Sequence, residues 1–235
     1  QIYSDLIPMN QAIKDALDTF YAKRITGMPF QYIIEHGSFY GRDFFINKHV
    51  LIPRPETELF INVLQKYSFQ DALEIGTGSG ILSITLRLEH IVKQILATDI
   101  SQSALNVAST NIKQFNVSNI FLKKHDFLNN TLTQRFDLIV SNPPYISFQE
   151  YQKLPHHIID YEPRIALTDN NKGLLFYYRF ADQLPRLLKS NGIFLCELGN
   201  PDVVTSVKKI FRSKGYQFNI LQDLNNQDRI IQIQL

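Results

Sequence analysis

The sequence of 235 residues contains a single cysteine, Cys196, so it can form no internal disulfide and is typical of a reducing compartment. It also has no long apolar run. The longest uncharged stretches, Ile75–Leu86 and Leu138–Gln149, contain Gly or Pro and fall short of the about 18–20 apolar residues of a membrane-spanning helix. Residues 1–20 include charged side chains and no apolar core, so no secretory signal is predicted. We expect a water-soluble, cytoplasmic protein, or one of an organelle matrix if a targeting segment was removed.

The chain lacks a strong charge of either sign, with 24 Lys and Arg residues against 22 Asp and Glu residues and a net charge of +2. A nucleic-acid-binding face usually carries a basic stripe, whereas the basic residues here are scattered. The six histidines show no metal-ligand spacing, so no metal site is predicted. A hydrophobic fraction of 44% is high enough for a sizeable core, and the length suits one domain with a small appendage.

Three different patterns follow one another in the first third of the chain. Asn10–Thr26 has apolar residues at helical spacing and ends at Gly27. Between Gln31 and Pro53 the pattern becomes β-like and predicts a hairpin, with Tyr32–Ile34 and Phe44–Ile46 as its arms. Glu56–Tyr67 then resembles a helix that begins with acidic residues, where they suit the helix dipole.

The rest of the chain alternates between strand and helix patterns, which predicts a parallel sheet covered on both faces. The predicted strands are Ala72–Ile75, Gln94–Asp99, Ile120–Lys124, Phe136–Ser141 and Ile193–Leu198. The predicted helices are Ile81–Glu89, Ser103–Phe115, Leu174–Lys189 and Val203–Lys214. Two final strands, Tyr216–Asp223 and Arg229–Leu235, are joined by too few residues for a crossover helix and should pair antiparallel. The fold class is therefore α/β, doubly wound and Rossmann-like, with one reversed strand.

A glycine-rich turn follows the first of these strands. Gly76, Gly78 and Gly80 alternate with Thr77 and Ser79, and glycine lets the backbone turn sharply and approach a ligand. Position 81 is Ile, so the turn does not match the dinucleotide fingerprint; its spacing is similar to that of S-adenosylmethionine methyltransferases. A plain turn between strand and helix is the alternative interpretation.

Acidic residues end the next two strands. Asp99 lies 21 residues after Gly78, close to the spacing of an acid that binds ribose hydroxyls. Asp126 follows the third strand and could face an adenine amino group, with Phe127 against the ring. A helix cap is the alternative for Asp99, although Ser101 already offers one. Because ligands bind at the carboxyl ends of such strands, the turn and both acids indicate one nucleoside-containing cofactor.

The fourth strand ends in Asn142-Pro143-Pro144-Tyr145. A planar amide or aromatic-amine nitrogen has a conjugated lone pair and cannot be activated simply by removing a proton. Such a nitrogen can instead be held by two acceptors, here the Asn142 side-chain oxygen and the Pro143 carbonyl, while consecutive prolines fix the turn. Tyr145 offers a flat surface for the planar group. We expect Asn142, Pro143 and Tyr145 to be catalytic, and residues 142–145 to bind the substrate.

Four segments together resemble the HemK-type protein-glutamine methyltransferases: Leu51–Glu58, Glu74–Gly80, Asn142–Tyr145 and Tyr161–Leu167. The resemblance implies a seven-stranded class I methyltransferase sheet, S-adenosylmethionine as methyl donor, and methylation of the glutamine in the Gly-Gly-Gln loop of peptide chain release factors. It implies that the cofactor is contacted by Gly76, Thr77, Gly78, Ser79, Gly80, Asp99, Ile100, Asp126, Phe127 and Asn142. It also divides the chain into a remnant of a helical substrate-docking domain (1–29), a β-hairpin linker (30–55) and the methyltransferase domain (56–235).

Two other functions remain open at this point. Asn-Pro-Pro-Tyr also occurs in adenine-N6 DNA and RNA methyltransferases, but these need a target-recognition segment and a basic cleft, and residues 146–172 are short and of mixed charge. A cofactor-binding module without activity is the other alternative. Arg54 and Glu56 could form a pocket wall or simply begin a helix, and Glu197, Asn200 and Pro201 are more consistent with structural roles. A monomer, no nucleic-acid partner and no membrane are expected.

Overall fold

The computed structural model describes residues 10–235, and residues 1–9 of the predicted docking-domain remnant lie outside this range. The helices are α1 Gln11–Ile25, α2 Phe30–Ile34, α3 Leu59–Leu64, α4 Ile81–Leu88, α5 Gln102–Gln114, α6 Phe148–Tyr151, α7 His156–Ile159, α8 Arg164–Leu167, α9 Leu175–Leu187 and α10 Pro201–Ser213, with a 3-10 turn at Pro55–Glu58. The strands are β1 His36–Phe39, β2 Arg42–Phe45, β3 Phe69–Ile75, β4 Val92–Asp99, β5 Ile120–Lys124, β6 Phe136–Ser141, β7 Leu188–Glu197, β8 Asn219–Gln222 and β9 Asp228–Gln234.

The N-terminal hairpin is present, but one of its predicted arms is wrong. Residues 32–34 belong to helix α2, and β1, which begins at His36, pairs with β2 instead. Tyr40 and Gly41 both adopt positive φ and form a two-residue hairpin loop, which fixes the register in which His36–Phe39 faces β2. Glu35, also at positive φ, ends α2 and separates it from the strand.

Seven strands form the central sheet in the order β5-β4-β3-β6-β7-β9-β8. The five strands from β5 to β7 are parallel, whereas β9 runs antiparallel to both β7 and β8. This arrangement confirms the predicted doubly wound sheet with one reversed strand. The carboxyl ends of β3, β4, β5 and β6 lie at one edge, so the turns that follow them are brought together.

Successive side chains along each strand point to opposite faces of the sheet, and they form a separate hydrophobic core on each face. On β6, Leu138 and Val140 pack on one face with α3 and α4, while Ile139 packs on the other with α9 and α10. Both faces of the inner strands are therefore apolar, as a covered parallel sheet requires. The predicted helices α4, α5, α9 and α10 are found within two residues of their expected bounds.

Two parts of the chain differ further from expectation. Strand β7 begins five residues before the predicted strand, and its irregular start contains Asn191 at φ 64° before the regular pairing with β6 resumes at Ile193. The segment from 146 to 174 contains three one-turn helices, α6, α7 and α8, which the sequence pattern did not predict. Within residues 10–235, no helix is both long and apolar enough to cross a bilayer.

Candidate active site

A cavity of about 250 Å³ lies at the carboxyl ends of strands β3 to β6, near the lower limit of common ligand pockets. Each of the four strands contributes the residues that follow it, and the segments before the 3-10 turn and around α8 close the sides. The lining includes residues 49–54, Thr57, 76–79, 99–101, 125–128, 142–144, Pro163, Ile165, Ala166, 168–170 and Phe176. The structure thus brings three predicted strand ends and the Asn-Pro-Pro segment to one place.

The glycine loop, residues 76–80, meets the cavity with its backbone. Gly76 and Gly78 adopt φ of 77° and 55°, a conformation that side-chain-bearing residues rarely adopt. A Cβ on Gly78 would meet no protein atom within 4 Å, and one on Gly76 only the Asn142 carbonyl oxygen at 3.8 Å. The open space beside both glycines is therefore available to a ligand. Gly80 is different: it lies outside the cavity lining, and its missing Cβ lets Ala108 of α5 approach.

Two acidic residues hold the glycine loop from beneath. Glu74 is buried and accepts hydrogen bonds from Thr77 Oγ1 at 2.8 Å and from the amide and hydroxyl of Ser83. Burial raises the pKa of Glu74 to about 7. Asp99 accepts from the Gly78 amide and the Ser101 amide, both at 2.9 Å, and burial also raises its pKa. Asp99 lines the cavity as well, so it both shapes the loop and is available to a ligand.

Asp126 and Phe127, which follow β5, line the cavity and also contact neighbouring residues of the protein. The Asp126 carboxylate accepts from the amides of Leu128 and Asn129 and from Asn129 Nδ2, and the Asn129 side chain lowers its pKa. Phe127 is 5% exposed and packs against Phe180 and Phe176. Phe176 also lines the cavity, a contribution from α9 that the sequence pattern did not indicate.

The Asn-Pro-Pro-Tyr segment provides two free acceptors. Asn142 donates its side-chain Nδ2 to Thr57 Oγ1 at 3.2 Å. No group between residues 10 and 235 donates to its Oδ1 or to the Pro143 carbonyl oxygen. Asn142, Pro143 and Pro144 line the cavity. Two acceptors on successive residues of the lining suit a donor with two N–H groups, such as a carboxamide.

Tyr145 lies beside the cavity rather than on its lining, and three contacts hold it there. Its hydroxyl donates to Glu197 Oε1 at 3.2 Å. Its ring covers Gly199, where a Cβ would lie 2.7 Å from Tyr145 Cδ2, and its carbonyl fills the space where Gly173 would carry a Cβ. The position of the ring is therefore determined by residues far along the chain.

Two of the four segments that carry the family resemblance, Leu51–Glu58 and Tyr161–Leu167, meet in an ion pair. Arg54 Nη2 donates to both carboxylate oxygens of Glu162, at 2.7 and 2.8 Å. Glu162 is 5% exposed, and Arg54 lines the cavity, so Arg54 forms part of a pocket wall. Asn200 caps α10, as a structural interpretation expects. Within residues 10–235, no cluster of His, Cys, Asp and Glu could hold a metal ion.

Similarity to known proteins agrees with this geometry. The methyltransferase small domain family matches residues 55–182. The release factor glutamine methyltransferase of Bacillus subtilis (strain 168) is 39% identical over 218 residues, which cover 87% of this chain and 75% of that protein. A crystal structure of a methyltransferase from Pyrococcus furiosus has a TM-score of 0.64 and 18% identity, and the alignment covers 96% of this chain and 98% of that one. The latter supports the class I methyltransferase fold.

Longer relatives exist as well. The bifunctional methyltransferase of Rickettsia bellii is 38% identical over 97% of this chain, but the match covers 46% of that protein. The chain thus spans about half the length of the bifunctional relatives and about three quarters of the release factor enzymes. S-adenosylmethionine, the cofactor of these methyltransferases, suits a cavity lined by a glycine loop, a half-buried aspartate and apolar residues. The chain belongs to the release factor glutamine methyltransferases, a family built on the methyltransferase small domain.

Proposed function

We propose that this chain transfers the methyl group of S-adenosylmethionine to the side-chain amide nitrogen of the Gly-Gly-Gln glutamine in peptide chain release factors. The observation that carries the proposal is the pair of acceptors without a donor, Asn142 Oδ1 and the Pro143 carbonyl, on two residues that line the cavity. The relatives named for release factor glutamine methylation support the same substrate.

Methylation of an amide nitrogen depends on orienting that nitrogen toward the methyl group, and it does not need a general base. The cofactor, held by residues 76–79 and Asp99, would supply an electrophilic methyl group on a sulfonium; the amide nitrogen would gain this methyl group, leaving a neutral thioether, and would release one proton to solvent. Asn142 and Pro143 would each accept one N–H of the glutamine amide and turn its lone pair toward the methyl group. Holding two reactants in this way can contribute about 7–11 kcal/mol to lowering the barrier.

We assign the cofactor side of the cavity to the predicted residues. The backbone of residues 76–79 would cradle the methionine part, and Asp99 would accept from the ribose hydroxyls. Ile100, which is 42% exposed at the lining, and Phe127 would contact the adenine. Asp126 would reach the adenine amino group beside its local turn contacts, while Gly80 supports the loop indirectly. Tyr145 would stabilise the substrate segment from its position beside the acceptors.

The charge of the cavity favours a protein substrate over a nucleic acid. Its lining includes Glu74, Asp99, Asp126 and Asp169, and the Arg54 that lines it is paired with Glu162. Nucleic-acid binding depends on cations that neutralise phosphates, which this lining does not offer. We therefore propose a release factor as partner rather than DNA or RNA, with the chain acting as a monomer.

Labelled S-adenosylmethionine tests the proposal directly. Incubated with the chain, a release factor should gain one methyl group at the Gly-Gly-Gln glutamine, detected by mass spectrometry of its peptides. A release factor with Glu in place of that glutamine is the matched substrate control and should stay unlabelled. The Asn142→Ala variant should lose transfer and keep cofactor binding. Label in DNA or RNA supplied to the same reaction, with none in the protein, would contradict the proposal.

A further inference from the structure

A buried carboxyl group lies behind the proposed acceptors. Glu197 ends strand β7, is 2% exposed, and does not belong to the cavity lining. Its Oε2 accepts the hydroxyl of Thr57 at 2.7 Å, and its Oε1 accepts the hydroxyl of Tyr145 at 3.2 Å. Thr57 in turn accepts the side-chain amide of Asn142 at 3.2 Å. One carboxyl group therefore contacts Tyr145 directly and Asn142 through a single hydroxyl.

The number of protons available on Glu197, Thr57 and Asn142 determines which group donates in each of these hydrogen bonds. An ionised carboxylate has no proton to donate, so the proton between Glu197 and Thr57 belongs to the threonine hydroxyl. Because the Thr57 hydroxyl proton is used in that bond, Thr57 Oγ1 can only accept a hydrogen bond from Asn142. Asn142 must therefore turn its NH₂ group toward Thr57, and its oxygen faces away, free to accept from a donor in the cavity.

We propose that Glu197, acting through Thr57, is a positioning residue that fixes which end of the Asn142 amide faces the substrate. This inference rests on the proposed function, because the orientation matters only if Asn142 accepts an N–H from a substrate amide. With the opposite orientation, Asn142 would present its NH₂ group to the NH₂ group of the glutamine, and two donors would face each other.

The ionisation of Glu197 then becomes the switch for that orientation. A protonated Glu197 could donate to Thr57, Thr57 could donate to Asn142 Oδ1, and the amide would turn over. The pKa of Glu197 is raised to about 7, chiefly by burial and to a smaller extent by the Glu56 carboxylate, while the hydrogen bonds from Thr57 and Tyr145 and the charge of Arg229 of β9 act to lower it. Its polar neighbours are Thr57, Tyr145 of the loop after β6, Tyr177 of α9 and the adjacent Cys196.

Substitutions of Thr57 can distinguish the effect of its hydroxyl group from the effect of its side-chain volume. Thr57→Val keeps the shape but removes the relay, and we expect kcat to fall at least tenfold while the dissociation constant for S-adenosylmethionine changes less than twofold. Thr57→Ser keeps the hydroxyl and should restore most of the activity. Thr85→Val is the matched control, because Thr85 is also fully buried, lies outside the cavity lining, and its hydroxyl has no partner among residues 10–235. Thr57→Val with wild-type kcat would overturn the inference.

The pH profile provides a second readout that packing alone would not change. The kcat of the wild type should rise about tenfold from pH 6 to pH 8, as a group with a pKa of about 7 ionises. Glu197→Gln cannot ionise, so its kcat should be lower and independent of pH over this range. A Glu197→Gln variant that keeps the wild-type rise would overturn the inference, even if Thr57→Val fails to fold.

Nuclear magnetic resonance makes the test independent of turnover. The side-chain NH₂ signals of Asn142, assigned by their loss in Asn142→Ala, should shift with a midpoint near pH 7 in the wild type. They should not shift in Glu197→Gln. A wild type that fails to methylate any release factor contradicts the proposed function, whereas the NMR titration still decides the orientation of Asn142. Signals that do not respond to pH in the wild type would overturn the inference.

Discussion

The Asp99 side chain holds the glycine loop and also lines the cavity. Its two oxygens accept from the Gly78 and Ser101 amides, and the carboxyl also borders the cavity. Its strand position placed it at the cavity, as the spacing from Gly78 predicts. The bonds to the loop amides could not be read from spacing alone, because they depend on how residues 76–80 fold back over β4.

We predict that Asp99→Ala weakens S-adenosylmethionine binding by about ten- to a hundredfold. A hydrogen bond to a charged group contributes about 1.5–3 kcal/mol, and this variant would lose it to the ribose while loosening the glycine loop. Isothermal titration calorimetry measures the change. Asp18→Ala, at an exposed position on α1, is the matched control and should bind as the wild type does. Equal affinity of Asp99→Ala and wild type would remove Asp99 from the site.

At the scale of elements, the ion pair between Arg54 and Glu162 joins the segment before the 3-10 turn to the one that begins α8. The two residues are 108 positions apart, and no repeat or spacing in the sequence relates them. The sequence did identify both segments as part of the family resemblance. It left two roles open for Arg54, a place in a pocket wall or one at the start of a helix. The structure places it in the wall.

We predict that Arg54→Ala lowers the free energy of unfolding by about 2–3 kcal/mol, since it leaves the buried Glu162 carboxylate without its partner. Hydrogen exchange in residues 161–167 should also become faster. Lys214→Ala is the control: it breaks an exposed pair with Asp182, which should contribute at most about 1 kcal/mol. Equal losses in the two variants, measured by urea unfolding, would contradict the prediction.

Element prediction succeeded where the pattern is long and failed where it is short. The helices around the sheet have apolar faces of several turns, which pack in any arrangement that covers a sheet. The three residues 32–34 are apolar and β-branched in part, so they suit a strand by pattern. They form a helix that ends at Glu35, whose positive φ interrupts the backbone directly before β1, so residues 32–34 do not continue the strand.

At the scale of the whole molecule, stability should depend on pH through Glu74 and Glu197, two buried carboxyl groups whose pKa burial raises to about 7. In the unfolded chain both would titrate near 4.5. Their contribution to stability is therefore complete below pH 4.5 and is lost as the pH rises through 7. Each shift corresponds to about 3 kcal/mol at high pH. His125, whose pKa is lowered by burial, acts in the opposite direction but is a single group.

We predict that the free energy of unfolding falls between pH 5 and pH 8, as measured by urea unfolding at constant ionic strength. Glu74→Gln should flatten the slope by about half, because it removes one of the two titrating groups. Thr85→Val is the control, since it changes a buried residue of α4 that carries no ionisable group and should leave the slope unchanged. A stability that rises across this interval, or an unchanged slope in Glu74→Gln, would contradict the prediction.

The amino-acid sequence by itself determined the alternation of strands and helices, the glycine turn, the acids at successive strand ends and the Asn-Pro-Pro-Tyr segment. These are local features, and parallel strands bring their carboxyl ends to one edge whatever the loops do. Only the tertiary structure decided how Asn142 is oriented. Thr57 lies 85 residues before Asn142 and 140 before Glu197, and such contacts arise from chain folding that no local pattern encodes.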